Sequence, residues 1–250
     1  MQGPSSRHLT RRRLLASTAA MVAVGIHAAW AVTVQGTLPW RPNAADPPAP
    51  VHPGPWVYFT PEEGAAVETL VDRLIPPDPV TPGGKDAGCA VFIDRQLAGP
   101  YGRSEALYMQ PPFANGTPQQ GLQSALTPAQ WYRKGLAALD AHCRAGYAGK
   151  SVSQIPDSEK DALLTAMEKG ELQFPDVSAK GFFDQLLQNT KEGFFADPLY
   201  GGNRDMVAWR MIGFPGTQYD YRDWIGRHNE RYPLPPISIY SRSGPNPKGT

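Results

Sequence analysis

Twice the chain opens an amphipathic stretch with the same local signal, and that signal dictates helix. Thr60-Pro61-Glu62-Glu63 and Thr127-Pro128-Ala129-Gln130 each set a hydroxyl at the N-cap, a proline at the first helical position, and Glu or Gln three residues after the cap. The threonine oxygen accepts the third backbone N–H, and the Glu or Gln side chain accepts the N–H of the cap itself. The proline has no N–H to leave orphaned. After the first cap, Val67, Leu70, Val71, Leu74 and Ile75 share one face until Pro76-Pro77 ends the run. After the second, Tyr132, Leu136, Leu139 and Cys143 form a stripe. Three more periodic runs predict helices over 87–97, 157–169 and 178–195, the last carrying Phe182, Phe183, Leu186, Leu187, Thr190 and Phe194. A short helix is expected over 206–212, closed by Gly213-Phe214-Pro215-Gly216, and an amphipathic turn or two through Tyr219, Tyr221, Trp224 and Ile225. No long alternating β-branched stretch occurs, and no repeat at a fixed period. The expected fold class is all-α: a single irregular helical domain with long Pro/Gly-rich loops and extended N- and C-terminal arms. The 27 prolines and 25 glycines fall mostly in its connections.

The N-terminus carries a different pattern. Thr10-Arg11-Arg12-Arg13-Leu14-Leu15 supplies paired arginines followed by apolar residues, and an apolar stretch runs on to Val34. Ala29-Trp30-Ala31 is a small-x-small site at which a signal peptidase would cut. Residues 1–31 therefore read as a twin-arginine signal peptide, with Arg11, Arg12, Leu14 and Leu15 as its address and Ala29 and Ala31 flanking the cut. The competing reading is a retained anchor, since the run is just long enough, at roughly 20 residues, to span a bilayer. The small residues and the cleavage site favour the signal. Residues 32–59 follow as a Pro-rich extended linker, free to lie along a partner, then 60–236 as the helical domain and 237–250 as an extended tail.

Residues 1–31 hold four arginines and no acid, so the mature chain has 20 basic against 23 acidic residues. Nothing in that balance seeks nucleic acid. Two cysteines remain, Cys89 and Cys143, both in expected helices of one domain. In an oxidising compartment a disulfide is the favoured expectation, and two buried thiols the alternative.

Cofactor and nucleophile signatures are missing from the chain. There is no G-x-G-x-x-G after a strand, no C-x-x-C-H, no P-loop and no G-x-S-x-G. The mature histidines His52, His142 and His228 lack ligand spacing, so no metal site is expected. Asp197, Asn203, Arg204 and Asp205, with Arg210, form the one cluster where acid–base chemistry is conceivable. That would make the chain a self-standing enzyme working through Asp197, Arg204 and Asp205. The favoured reading is that these groups stitch a loop, with Gly201 and Gly202 supplying positive φ. Dense aromatics follow, and aromatics beside arginine are what interface hot spots favour. The subunit-interface candidates are Tyr200, Asn203, Arg204, Asp205, Trp209, Phe214, Tyr221 and Trp224. A solitary binding module is the remaining alternative.

The block Gly193-Phe194-Phe195-Ala196-Asp197-Pro198-Leu199-Tyr200-Gly201-Gly202-Asn203-Arg204-Asp205-Met206, with Trp209 and Ile212-Gly213-Phe214-Pro215-Gly216, resembles the gluconate 2-dehydrogenase gamma chain (subunit 3) family. The run from Ala87 to Pro100, and Tyr108-Met109-Gln110 with Pro112-Phe113, fit the same family over about 61–236. The resemblance implies a small accessory subunit of a periplasmic, membrane-bound FAD-dependent sugar or sugar-acid dehydrogenase. A large flavoprotein partner would hold FAD, and a multihaem cytochrome c subunit would pass electrons to quinone and tether the complex to the inner membrane. The small subunit would carry the export signal, bind no cofactor and contribute no catalytic residue.

Overall fold

The computed structural model describes residues 50–239, save 115, 121–123 and 219. Arg11, Arg12, Leu14, Leu15, Ala29, Ala31, most of the Pro-rich linker, Tyr219 and the tail beyond Ile239 lie outside the described residues. Among those described there are six α-helices and no strand: α1 (Pro61–Leu74), α2 (Cys89–Ala98), α3 (Pro128–Gly146), α4 (Asp157–Lys169), α5 (Ala179–Phe195) and α6 (Val207–Ile212). The chain is all-α, as its periodicity predicts.

Both capping boxes form. Thr60 N donates to Glu63 Oε2 at 2.9 Å, and Glu63 N donates back to Thr60 Oγ1 at 3.2 Å. Thr127 N reaches Gln130 Oε1 at 3.0 Å, and Gln130 N reaches Thr127 Oγ1 at 3.3 Å. α2 begins at Cys89 rather than Ala87, because Gly88 takes a left-handed φ of 85° and ends a preceding turn. The amphipathic turn expected around Tyr221 is only a 3-10 turn, Arg222–Trp224. The Asp220 carboxylate there accepts the Arg222 N–H at 3.1 Å, a local bond that competes with helix.

α5 is the central element and packs on α1, α2, α3, α4 and α6. Its sequence explains that position. Phe182, Phe183, Leu186, Asn189, Thr190, Gly193 and Phe194 are all buried, too wide a band for a helix with one wet face. Two glycines set its closest crossings. A Cβ on Gly135 of α3 would lie 2.4 Å from the Phe182 ring, and one on Gly193 would lie 3.0 Å from Phe92 of α2. Tyr132 and Phe182 meet edge to face at 5.6 Å, both wholly buried. Aromatic pairs of this kind add about 0.5–1.5 kcal/mol beyond their buried area.

The last ten residues before α1 pack on this domain rather than standing free. Val51 N donates to Leu199 O at 3.0 Å. Asp94, on α2 and fully buried, accepts the N–H groups of Val57, Tyr58 and Phe59, each at 2.9 Å, and pairs with Arg95. Arg133 of α3 donates to Tyr58 O at 2.9 Å, lies 4.4 Å over the Tyr58 ring, and pairs with Glu63 of α1. These polar groups hold the arm against α1, α2 and α3.

The expected Cys89–Cys143 disulfide is not formed; both cysteines are free and buried. They lie in separate surroundings: Cys89 in the first turn of α2, within electrostatic range of Asp72, and Cys143 in the last turn of α3, near Asp140. Burial pushes the Cys89 thiol up to about 12 and the Cys143 thiol up to about 11. Neither is a ready thiolate at neutral pH, so neither is poised for exchange or metal binding. No helix among the described residues is long and apolar enough to cross a membrane.

Candidate functional site

After α5 the chain builds a platform from a tight loop, α6 and a returning segment. Asp197 starts it. Its Oδ1 accepts Leu199 N at 2.9 Å, capping the 3-10 turn Pro198–Tyr200, and its Oδ2 accepts Ile239 N at 2.8 Å. Gly201 turns the chain at φ 92°, and Gly202 lets it lie on α5, where a Cβ would sit 2.1 Å from Gly193 O. Asn203 is wholly buried; its Nδ2 donates to Ala196 O and its Oδ1 accepts Ala208 N, both at 2.9 Å. Arg204 N donates to Ala87 O at 3.0 Å, tying the loop to the turn before α2. Asn203, Asp205 and Met206 all hold positive φ (43°, 56° and 56°), a conformation costing roughly 1–3 kcal/mol per non-glycine residue. The buried Asn203 bonds hold that strain in place.

Trp209 of α6 is buried, with Nε1 donating to Phe195 O at 2.9 Å and its ring 5.1 Å from Phe214 edge to face. The chain then returns. Thr217 N donates to Ile237 O at 2.8 Å and Ile237 N to Pro215 O at 3.3 Å, a parallel bridge between Gly216 and Ile237. Gly216, at φ 76°, is required there, since a Cβ would meet Ile237 O at 2.1 Å. The bridge brings 231–236 beside α6 and leaves a cleft of about 590 Å³ lined by Trp209, Arg210, Phe214, Arg231, Tyr232 and the prolines 233, 235 and 236. Tyr232 is braced by Tyr221 at 5.8 Å and Trp224 at 5.1 Å, with Arg227 4.7 Å over Trp224.

The interface candidates therefore divide. Tyr200, Arg204, Asp205, Phe214 and Tyr221 are exposed and Trp224 is half-buried. Asn203 and Trp209 are buried and hold the platform, Trp209 showing only an edge to the cleft. Asp197 is likewise committed, both oxygens being occupied by backbone N–H groups, so Asp205 has no free carboxylate partner in it for acid–base work. Phe195, Met211 and Ile212 are exposed apolar side chains beside these groups that the sequence left among helix residues. The Asp94 clamp was also missed, although a carboxylate at the spacing of Ala90, Ile93 and Leu97 on an apolar helix face was a readable signal. Among the described residues no group of three or more His, Cys, Asp and Glu could hold a metal.

Residues 61–216 match the family described as gluconate 2-dehydrogenase subunit 3. The chain belongs to that family. The match covers every helix from α1 to α6 and stops at the glycine of the bridge, short of the 236 that the sequence resemblance reached. The subunit 3 domain is thus the helical body, and the residues that flank the match, 50–60 and 217–239, are held against it by Asp94, Asp197 and the Gly216–Ile237 bridge. No curated protein and no solved structure matches the chain.

Proposed function

We propose that this chain is the accessory small subunit of a periplasmic, membrane-bound FAD-dependent gluconate 2-dehydrogenase or a related sugar dehydrogenase. In that role it supports the folding, twin-arginine export and assembly of the large flavoprotein subunit. The observation that carries this reading is the family match over 61–216. The twin-arginine pattern at Arg11 and Arg12 supports it, because that route carries folded passengers and one signal can export a partner bound to it. FAD on the large subunit would oxidise the substrate, and haem c on a cytochrome subunit would take the electrons onward. This chain's residues would contribute no catalytic group; they would present a rigid face to the flavoprotein.

Co-expressing the flavoprotein with an Arg11→Lys, Arg12→Lys variant tests export. The expected outcome is loss of both proteins and of dehydrogenase activity from the periplasm. Undiminished periplasmic activity would overturn the reading. Purifying the tagged mature chain from its native membrane fraction tests the partnership: flavin and haem absorbance with a large co-eluting subunit is expected. A colourless, solitary chain would favour a binding module, and turnover by that chain alone would favour the Asp205 loop as an active site.

A further inference from the structure

We infer that the cleft between α6 and residues 231–236, with its exposed apolar wall, is the seat for an acidic segment of the large partner subunit, a carboxylate set next to an apolar anchor. This rests on the proposed function and adds the docking face and the chemistry it recognises.

Charge is the first observation. Among the described residues Arg73, Arg95, Arg103, Arg133, Arg144 and Arg222 form ion pairs. Four other described arginines form none: Arg204 on the loop, Arg227 over the Trp224 ring, and Arg210 and Arg231, which line one cleft whose walls include no Asp or Glu. Two guanidinium groups facing a shared space are complementary to a carboxylate, which each can grip through two parallel N–H donors. The aromatic walls Trp209, Phe214 and Tyr232 lower the local dielectric and strengthen such a pair.

The apolar part of the wall decides between a small sugar acid and a protein segment. Phe214 and Leu234, both in that wall, are 43 and 57% exposed. A sugar acid carries hydroxyls on nearly every carbon and has no use for exposed apolar side chains. A protein surface does: apolar anchors ringed by arginine are the composition of interface hot spots. Asn203 and Trp209 lie beneath and fix the loop and α6, so little order is lost on docking.

The test compares the tagged full chain, co-expressed with the flavoprotein, with an Arg210→Glu, Arg231→Glu variant and a Leu234→Asp variant. All three altered side chains are exposed, so unchanged melting curves are expected to show that folding is intact. Wild type should recover the FAD-bearing subunit, less of it as salt rises, and each variant should recover roughly tenfold less or lower still. Equal recovery by variants and wild type would overturn the docking face while leaving the accessory role standing. No recovery by wild type would overturn the proposed function itself. Gluconate binding to the isolated chain, abolished by Arg210→Glu, Arg231→Glu, would mean that the cleft takes a small carboxylate and would overturn the protein-segment assignment.

Discussion

Asp94 is a carboxylate wholly removed from water, and its surroundings show why that is tolerable. Three backbone N–H groups and the Arg95 guanidinium replace the lost solvent. Asp94→Ala leaves those donors unpaired and is expected to lower unfolding free energy by about 3 kcal/mol in urea titration. Asp94→Asn keeps an acceptor and should lose less; equal losses would mean that packing, not the carboxylate, holds the arm. The thiols give a pH dependence. Burial raises Cys89 to about 12 and Cys143 to about 11 from an ordinary 9.0. Because each holds its proton more tightly folded than unfolded, its stabilising contribution is complete below pH 9 and is lost as pH rises through the folded values. Tyr132, raised by the same burial, acts in the same direction. The urea midpoint should therefore fall above pH 9, and a Cys89→Ala, Cys143→Ala variant should show a shallower fall. A disulfide reagent should leave both thiols unmodified until the protein unfolds.

At the scale of elements, the crossings of α5 depend on side chains that are absent. Gly135 lies against the buried Phe182 ring, which has nowhere to retreat. Alanine gains helix propensity over glycine by about 1 kcal/mol, but overpacking a buried ring typically costs about 1–3 kcal/mol. Gly135→Ala should therefore lower the melting temperature, and an increase would show that α3 and α5 can separate without loss. The capping boxes of α1 and α3 were legible because every bond in them spans three residues. The Asp94 clamp spans 35 to 37 residues, and no local pattern announces which backbone a distant carboxylate will meet.

Across the whole molecule, the body matched by the family is completed by chain on either side of it. Ending the chain at Gly216 removes the Ile237 bridge, the Ile239 bond to Asp197 and one wall of the cleft. Such a truncation should keep its helical circular dichroism, melt at a lower temperature and lose flavoprotein recovery together with the cleft. Retained recovery would place docking on the helical body alone.

The sequence by itself determined the helices, their caps and breaks, the all-α class and the family block around Asp197 to Met206, because each is written in bonds or periodicities a few residues long. Only the tertiary structure decided which polar groups lie inside, that Cys89 and Cys143 remain apart, that Asn203 and Trp209 support the platform rather than face outward, and that Arg231 comes beside Arg210. Those outcomes depend on contacts between residues far apart in the chain, and their closeness is set by how α5 packs its neighbours and by where Gly216 lets the chain return.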